Sequence, residues 1–139
     1  MSATPGPRPG AAPRSWTRLA GLWVPVAAYM AAIFYVQSLP SPPAPAGVGD
    51  KVLHLLGYAL LGALATRATA GGAGRRVTLG AALAAVAVTS GYGITDEIHQ
   101  GFVPLRTREL ADWYADTAGG ALGALVLAAW GILVTSRTR

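Results

Sequence analysis

Four long apolar runs, separated by short polar segments, constrain this chain more than any other feature. They cover residues 19–36, 52–66, 77–95 and 117–136. A membrane-spanning helix needs about 20 predominantly apolar residues, and about 17 are still sufficient. Only 12% of the residues are charged, about half the usual share in soluble domains. The sequence therefore predicts an all-α fold, an integral membrane bundle of four transmembrane helices, and disfavours a soluble helical bundle.

The chain has 139 residues, which is room for a single domain. Residues 1–14 are rich in Pro, Gly, Ala and Arg and predict a disordered, basic N-terminus, while residues 15–136 form the predicted transmembrane domain. The segment Ala44-Pro45-Ala46 resembles a signal-peptide cleavage site. The apolar run before it is longer than the usual signal core of about 7–15 residues. We therefore expect no cleavage there.

The charged residues are distributed unevenly between the two ends of the predicted bundle. With four spans, both termini and the middle loop share one side, which carries basic but no acidic residues. The other side carries the acidic residues and both histidines. Basic loops mark the cytoplasmic side of a membrane protein. The sequence thus predicts a multi-pass protein of the cell membrane with cytoplasmic termini. The net charge of +5 would suit a nucleic-acid partner, but the positions of the basic residues follow the positive-inside rule and argue against one. The basic residues on the cytoplasmic side are Arg8, Arg14, Arg18, Arg67, Arg75, Arg76, Arg137 and Arg139.

Ionisable residues gather at three helix ends on the acidic side. Asp50, placed as an N-cap, opens the second helix and is followed by His54 one turn later. An ionisable group facing lipid costs about 2.5–3.5 kcal/mol at mid-membrane, so we expect these residues to converge on one polar site. The candidate site residues are Asp50, Lys51, His54, Asp96, Glu97, Gln100, Arg106, Asp112 and Asp116.

Asp96 and Glu97 lie at the C-terminus of the third predicted helix, where the helix dipole disfavours negative charge. They need cationic partners. We expect Arg106 or Arg108 to fold back onto them, with Lys51 close by.

Helical spacing predicts how the residues of this third helix end share its faces. Tyr92, Asp96 and His99 fall on one face, and Glu97 and Gln100 point elsewhere.

Small residues recur at a spacing of four, which allows helix backbones to approach closely in lipid. Such matches are common by chance in an alanine-rich chain. The pairs are Ala27 with Ala31, Gly80 with Ala84, and Gly119 with Gly123.

Three segments together resemble one known family, the VanZ-like membrane proteins. They read DKVLH at 50–54, DEIHQGFVPLR at 96–106 and DWYADTAG at 112–119, and they follow the family's order. Two positions depart from its pattern, since Leu105 stands where Gly is usual and Asp116 where Asn is usual. The resemblance implies a small multi-span protein, with some relatives linked to low-level resistance to glycopeptide antibiotics such as teicoplanin.

The residues favour recognition of a membrane lipid or cell-wall precursor by its head group. Lys51, Arg106 and Arg108 would bind a phosphate, either of a phospholipid or of a polyprenyl-phosphate. The carboxylates and Gln100 would bond to polar groups of a sugar or peptide.

Two alternatives stay open from the sequence. One is a membrane-embedded hydrolase or transferase with His54 or His99 as the acid–base residue. The other is a structural cluster that only locks the helices together. No cofactor or metal is predicted, because the two histidines lie on different helices without a His-x-x-x-His spacing. The absence of cysteine excludes disulfides and thiolate sites.

Overall fold

The fold, seen in a computed structural model, consists of four helices. The structure describes residues 16–72 and 74–137. The predicted disordered segment 1–14 lies outside this range, as do Arg8, Arg14 and Arg139. All regular secondary structure in the described residues is helical, so the predicted all-α, four-helix architecture is confirmed. The helices are α1 (Trp16–Gln37), α2 (Asp50–Thr69), α3 (Leu79–Gln100) and α4 (Leu110–Arg137).

Three of the described helices, α1, α2 and α4, are long and apolar enough to cross a membrane. Helix α3 is as long as α1, at 22 residues. It is less apolar than α1, because Thr89, Ser90 and Tyr92 precede Asp96 in its sequence. Its membrane crossing stays a prediction. Helix α4 begins at Leu110, ahead of the predicted span at 117, because its first two turns are polar but still helical.

The helices run up and down, which places the start of α1 beside the end of α2. Arg18 donates from Nη2 to the carbonyl of Gly71 at 3.1 Å, and Arg67 donates from Nη1 to that of Gly21 at 3.3 Å. At the opposite end, Gln37 at the end of α1 lies beside His54 near the start of α2. The bundle therefore has one arginine-rich end and one end that carries the acidic residues.

Helices α2 and α4 pack most extensively on each other, and glycine makes this possible. A Cβ added to Gly119 or Gly123 of α4 would overlap the backbone carbonyl of Leu55 or of Ala59 in α2, respectively. The Gly119–Gly123 spacing thus marks a close helix contact, as the sequence predicted.

The other two small-residue pairs do not mark such contacts. A Cβ added to Gly80 would meet nothing within 4 Å, and Ala27 and Ala31 of α1 are exposed. The prediction was wrong there because spacing does not specify which helix face meets a neighbour.

The starts of α2 and α3 differ in how they are capped. Thr78 caps α3, its side chain accepting a hydrogen bond from the Ala81 amide at 3.2 Å. Helix α2 has Gly49 as its N-cap, without a side-chain hydrogen bond. The prediction of Asp50 as an N-cap is therefore wrong, because Asp50 is already the first helical residue.

Leu105, in the loop between α3 and α4, adopts a left-handed backbone conformation with φ of 66°. This conformation costs a residue with a Cβ about 1–2 kcal/mol.

We expect Leu105→Gly to stabilise the protein by about 1 kcal/mol, after allowance for the greater freedom of glycine in the unfolded chain. The Leu105 side chain is 91% exposed, so little packing is lost. Equilibrium unfolding in detergent micelles measures the change. Leu105→Ala, which keeps the Cβ, should give no such gain, and a less stable glycine variant would contradict the explanation.

Candidate functional site

A chain of four polar side chains crosses the acidic end of the bundle. Arg106 donates from Nη2 to Oε1 of Gln37 at 3.1 Å, the Gln37 Nε2 lies 3.2 Å from His54 Nε2, and His54 Nδ1 lies 2.8 Å from Asp116 Oδ1. Because Gln37 accepts through its oxygen, its Nε2 must donate to His54 Nε2. In that arrangement the Nδ1–H of the imidazole donates to Asp116.

Lys51 neutralises acidic residues at the start of α4. Its ammonium bonds Glu109 Oε2 at 2.6 Å and also pairs with Asp112 Oδ1. The Asp112 side chain is buried, whereas that of Glu109 is half exposed. The hydrogen bond from Lys51 lowers the pKa of Glu109 below its usual range. Lys51 is therefore paired with two carboxylates in this structure, and its role in a phosphate site stays a prediction.

Asp96, Glu97 and Gln100 are all buried at the end of α3, which corrects the prediction that Glu97 and Gln100 point away from Asp96. Tyr58 donates from its hydroxyl to Asp96 Oδ2 at 3.2 Å, and the amide of Glu109 donates to Glu97 Oε2 at 2.8 Å. The reason is that α3 is enclosed here by α2 on one side and by the α3–α4 loop and α4 on the other.

His99 lies apart from this cluster and connects α3 to α1. Its ring stacks on Phe34 with 4.2 Å between centroids, and its Nε2 lies 2.9 Å from Ser38 Oγ. Ser38 Oγ donates to the Phe34 carbonyl at 2.6 Å, so His99 donates to the serine. These contacts give His99 a packing role and leave His54 as the histidine of the site.

The expected return of an arginine onto Asp96 and Glu97 does not occur. No arginine lies within 4.0 Å of either carboxylate in the described part of the chain. Arg106 bonds Gln37 instead, and the guanidinium of Arg108 lies 5.4 Å from the centre of the Phe102 ring. The physical reason is that both carboxylates already accept hydrogen bonds within the bundle. Asp96 accepts one from the Tyr58 hydroxyl, and Glu97 accepts one from the Glu109 backbone amide.

Several buried polar atoms of this region have no hydrogen-bond partner among the described residues. They are Asp96 Oδ1, Glu97 Oε1, Asp116 Oδ2 and both amide atoms of Gln100. Buried polar atoms in native proteins are nearly always bonded, so each of these atoms calls for a partner.

Two sets of side chains are close enough to share one metal ion. Ligand atoms of His54, Glu97 and Asp116, all buried, lie within 4.8 Å of one another, and so do those of Asp50, His54 and Asp112. His54 belongs to both sets, and Asp50 Oδ2 lies 3.9 Å from its Nε2.

A cleft of about 530 Å³ between α1 and α2 opens beside His54. Its apolar wall includes Ile33 and Val36 of α1, and Pro42 of the loop that follows. Most of its polar lining lies at the acidic end of the bundle. That lining consists of Gln37, Asp50, His54, Arg106 and the hydroxyl-bearing Tyr29 and Tyr58.

A family model described as VanZ/LLP1 matches residues 12–133, which includes all four helices almost in full. The chain belongs to the VanZ/LLP1 family. Comparison with curated proteins and with solved structures gives no match. In this VanZ/LLP1 protein the two departures from the family pattern lie at positions with a specific structural role. Leu105 occupies a left-handed turn that suits glycine, and Asp116 is the carboxylate that accepts from His54.

Sequence reasoning missed Gln37, a residue of this VanZ/LLP1 site, and Glu109, which supports the site through its backbone amide. Gln37 links Arg106 to His54, and the available signal was a lone amide ending a long apolar run. Glu109 shares Lys51 with Asp112 and also donates its amide to the site.

Proposed function

We propose that this VanZ/LLP1 protein binds the phosphate-bearing head group of an envelope lipid in the cleft between α1 and α2. The observation that carries the proposal is the division of the cleft lining into an apolar wall and a polar end. An acyl or prenyl chain suits the wall formed by Ile33, Val36 and Pro42. A head group suits the end formed by His54 and Arg106.

Arg106 is the cation that faces this cleft. Its guanidinium makes one hydrogen bond, to Gln37, and no carboxylate within the described residues lies within 4.0 Å of it. A guanidinium offers five N–H donors in a fork that matches phosphate oxygens. Lys51 and Arg108, the other two cations on this side, are engaged elsewhere.

The test is lipid retention by the purified protein, measured by native mass spectrometry after exchange into mixed micelles. The probes are phosphatidylglycerol and a polyprenyl-phosphate, with phosphatidylcholine as the reference. Charge-assisted hydrogen bonds contribute about 1.5–3 kcal/mol, so Arg106→Gln should lower retention of the anionic lipids about tenfold or more.

Arg108→Gln is the matched control, because Arg108 lies over Phe102 and is not part of the cleft lining. It should leave retention unchanged. Equal retention by wild type and Arg106→Gln would refute the proposal. A preference for one of the two anionic probes identifies whether the ligand is a phospholipid or a polyprenyl-phosphate carrier of wall precursors.

We extend the proposal to glycopeptide susceptibility and to topology. A protein that holds a wall-precursor head group at the outer face would alter its access to teicoplanin. The arginine-rich end would then be cytoplasmic by the positive-inside rule, with the cleft opening outward. Expression of the wild type, but not of Arg106→Gln, should change teicoplanin susceptibility.

Hydrolysis or transfer at the same cleft is the second candidate function. It is favoured by the buried His54–Asp116 pair at 2.8 Å, whose imidazole also lines the cleft. A neutral imidazole oriented by a carboxylate can serve as a general base. Release of head groups from the same lipid probes, lost in His54→Gln, would identify the protein as an enzyme, and intact lipids after long incubation would exclude this candidate.

A further inference from the structure

We propose that His54, Glu97 and Asp116 bind one divalent metal cation within the acidic end of the bundle. Each residue comes from a different helix, α2, α3 and α4, and each is buried. Their ligand atoms all lie within 4.8 Å of one another. A cation at this position would bridge three helices.

The spacing of the three ligand residues suits a divalent metal ion of the first transition row. Ligands about 2.0–2.2 Å from a zinc ion and roughly at right angles are separated by about 3 Å. The 2.8 Å between His54 Nδ1 and Asp116 Oδ1 is close to that separation. Glu97 is held by the Glu109 amide through Oε2, which orients the carboxylate as an outer hydrogen bond orients a metal ligand.

The unpartnered atoms supply an independent argument for a ligand. Glu97 is 8% exposed and Asp116 is 0% exposed, and each has a carboxylate oxygen without a partner, Oε1 and Oδ2 respectively. Asp96 Oδ1 and both amide atoms of Gln100, one acceptor and one donor, are also unpartnered. Acceptors outnumber donors in this interior, and a cation is the partner that accepts lone pairs.

Charge leads to the same conclusion. Asp96, Glu97 and Asp116 are buried, and no lysine or arginine among the described residues lies within 4.0 Å of them. Lys51 is taken by other carboxylates, and the His54 imidazole, 2.8 Å from Asp116, can offset at most one of the three. Buried carboxylates without a counter-charge are strongly disfavoured, and a divalent cation offsets two of them.

The second set, Asp50, His54 and Asp112, is the weaker site. The Lys51 ammonium pairs with Asp112, and the Asp50 side chain is 55% exposed. A cation there would have to displace the lysine.

The donor types define the class of metal. One imidazole nitrogen with carboxylate oxygens and no sulfur suits Zn²⁺ or Mn²⁺. Three protein ligands leave further coordination positions open, as in catalytic rather than structural zinc sites.

Ligation through His54 Nδ1 has a consequence for the cleft. The ring proton moves to Nε2, so the Gln37 carboxamide must turn its oxygen toward it and can no longer accept from Arg106. The guanidinium is then released into the cleft that both residues line. This coupling rests on the proposed head-group function, whereas the metal site itself does not.

The experiment counts bound metal on full-length protein in detergent after treatment with a chelator. MnCl₂ is added, free Mn²⁺ is measured by electron paramagnetic resonance, and ZnCl₂ is then added as a competitor. We expect about one bound equivalent, displaced by zinc, with a rise in Tm on loading. Glu97→Gln should weaken Mn²⁺ binding at least about tenfold.

Glu109→Gln is the matched control, because it removes the same charge from an exposed carboxylate that bonds Lys51 outside the set. It should bind Mn²⁺ like the wild type. If Glu97→Gln fails to fold, Asp116→Asn provides the same comparison. Wild-type protein that binds no more Mn²⁺ than these site variants would overturn the proposal, and so would equal losses in Glu97→Gln and Glu109→Gln. Because lipid is absent from this assay, its failure leaves the head-group proposal standing, and a failed lipid assay leaves the metal site standing.

Discussion

Replacing Gly123 with alanine is expected to destabilise the bundle by about 3 kcal/mol, at the upper end of the range for overpacked cores. The added Cβ would overlap the Ala59 carbonyl and the Ala63 amide nitrogen. Both are backbone atoms of α2, which cannot move aside as a side-chain tip can. The two helices must therefore separate, and the loss extends along the most extensive contact of the bundle.

The control is Gly91→Ala in α3, where a new Cβ meets nothing within 4 Å. Alanine there should be neutral or stabilising by about 0.5–1 kcal/mol, because alanine has a higher helix propensity than glycine. Reversible unfolding of both variants in the same mixed micelles separates helix propensity from packing. If Gly123→Ala were as stable as Gly91→Ala, the close approach of α2 and α4 would be refuted.

The helices were predictable because each apolar run is long and ends in polar, Pro-rich or Gly-rich sequence. Their boundaries were less so, and α4 shows why. Asp112 and Asp116 interrupt its apolar pattern, yet both are buried. Burial is possible because Asp112 pairs with Lys51 of α2 and Asp116 pairs with His54 of α2. Composition registers the charge of these residues but not the partner that makes the charge tolerable.

The partners within the candidate site were harder to predict than its members. Electrostatics alone assigned Arg106 to the α3 carboxylates, but the arginine bonds the neutral Gln37. Two non-charged donors, the Tyr58 hydroxyl and the Glu109 amide, serve those carboxylates instead. Such partners depend on how helices from distant parts of the sequence face each other, and a one-dimensional charge pattern does not contain that information.

The loop geometry was equally inaccessible from composition. A Gly-x-x-Pro hairpin predicts a turn, and the structure has one, but the left-handed residue is Leu105 rather than a glycine. Only a comparison with the family pattern, in which glycine is usual there, indicates a position with unusual backbone. The leucine shows that this chain tolerates the strain.

Lys51→Met is expected to produce the second large effect, a loss of about 2 kcal/mol in unfolding free energy. Breaking a fully buried ion pair costs about 3–5 kcal/mol because the remaining charge is left uncompensated. Here Asp112 is buried, with 3% of its side chain exposed, but Lys51 is 44% exposed, which lowers the expected loss. Methionine preserves most of the aliphatic stem of the lysine. The loss in unfolding free energy therefore measures the contribution of the ammonium group.

Glu109→Gln removes the exposed partner of the same lysine and should change stability little, since surface ion pairs contribute little. The decisive variant is Lys51→Met combined with Asp112→Asn. Removing both partners also removes the unpaired charge of Asp112, so the double variant should recover most of the stability lost by Lys51→Met. A double-mutant cycle measures this coupling. Additive losses in the cycle would mean that Asp112 is stabilised by something other than Lys51.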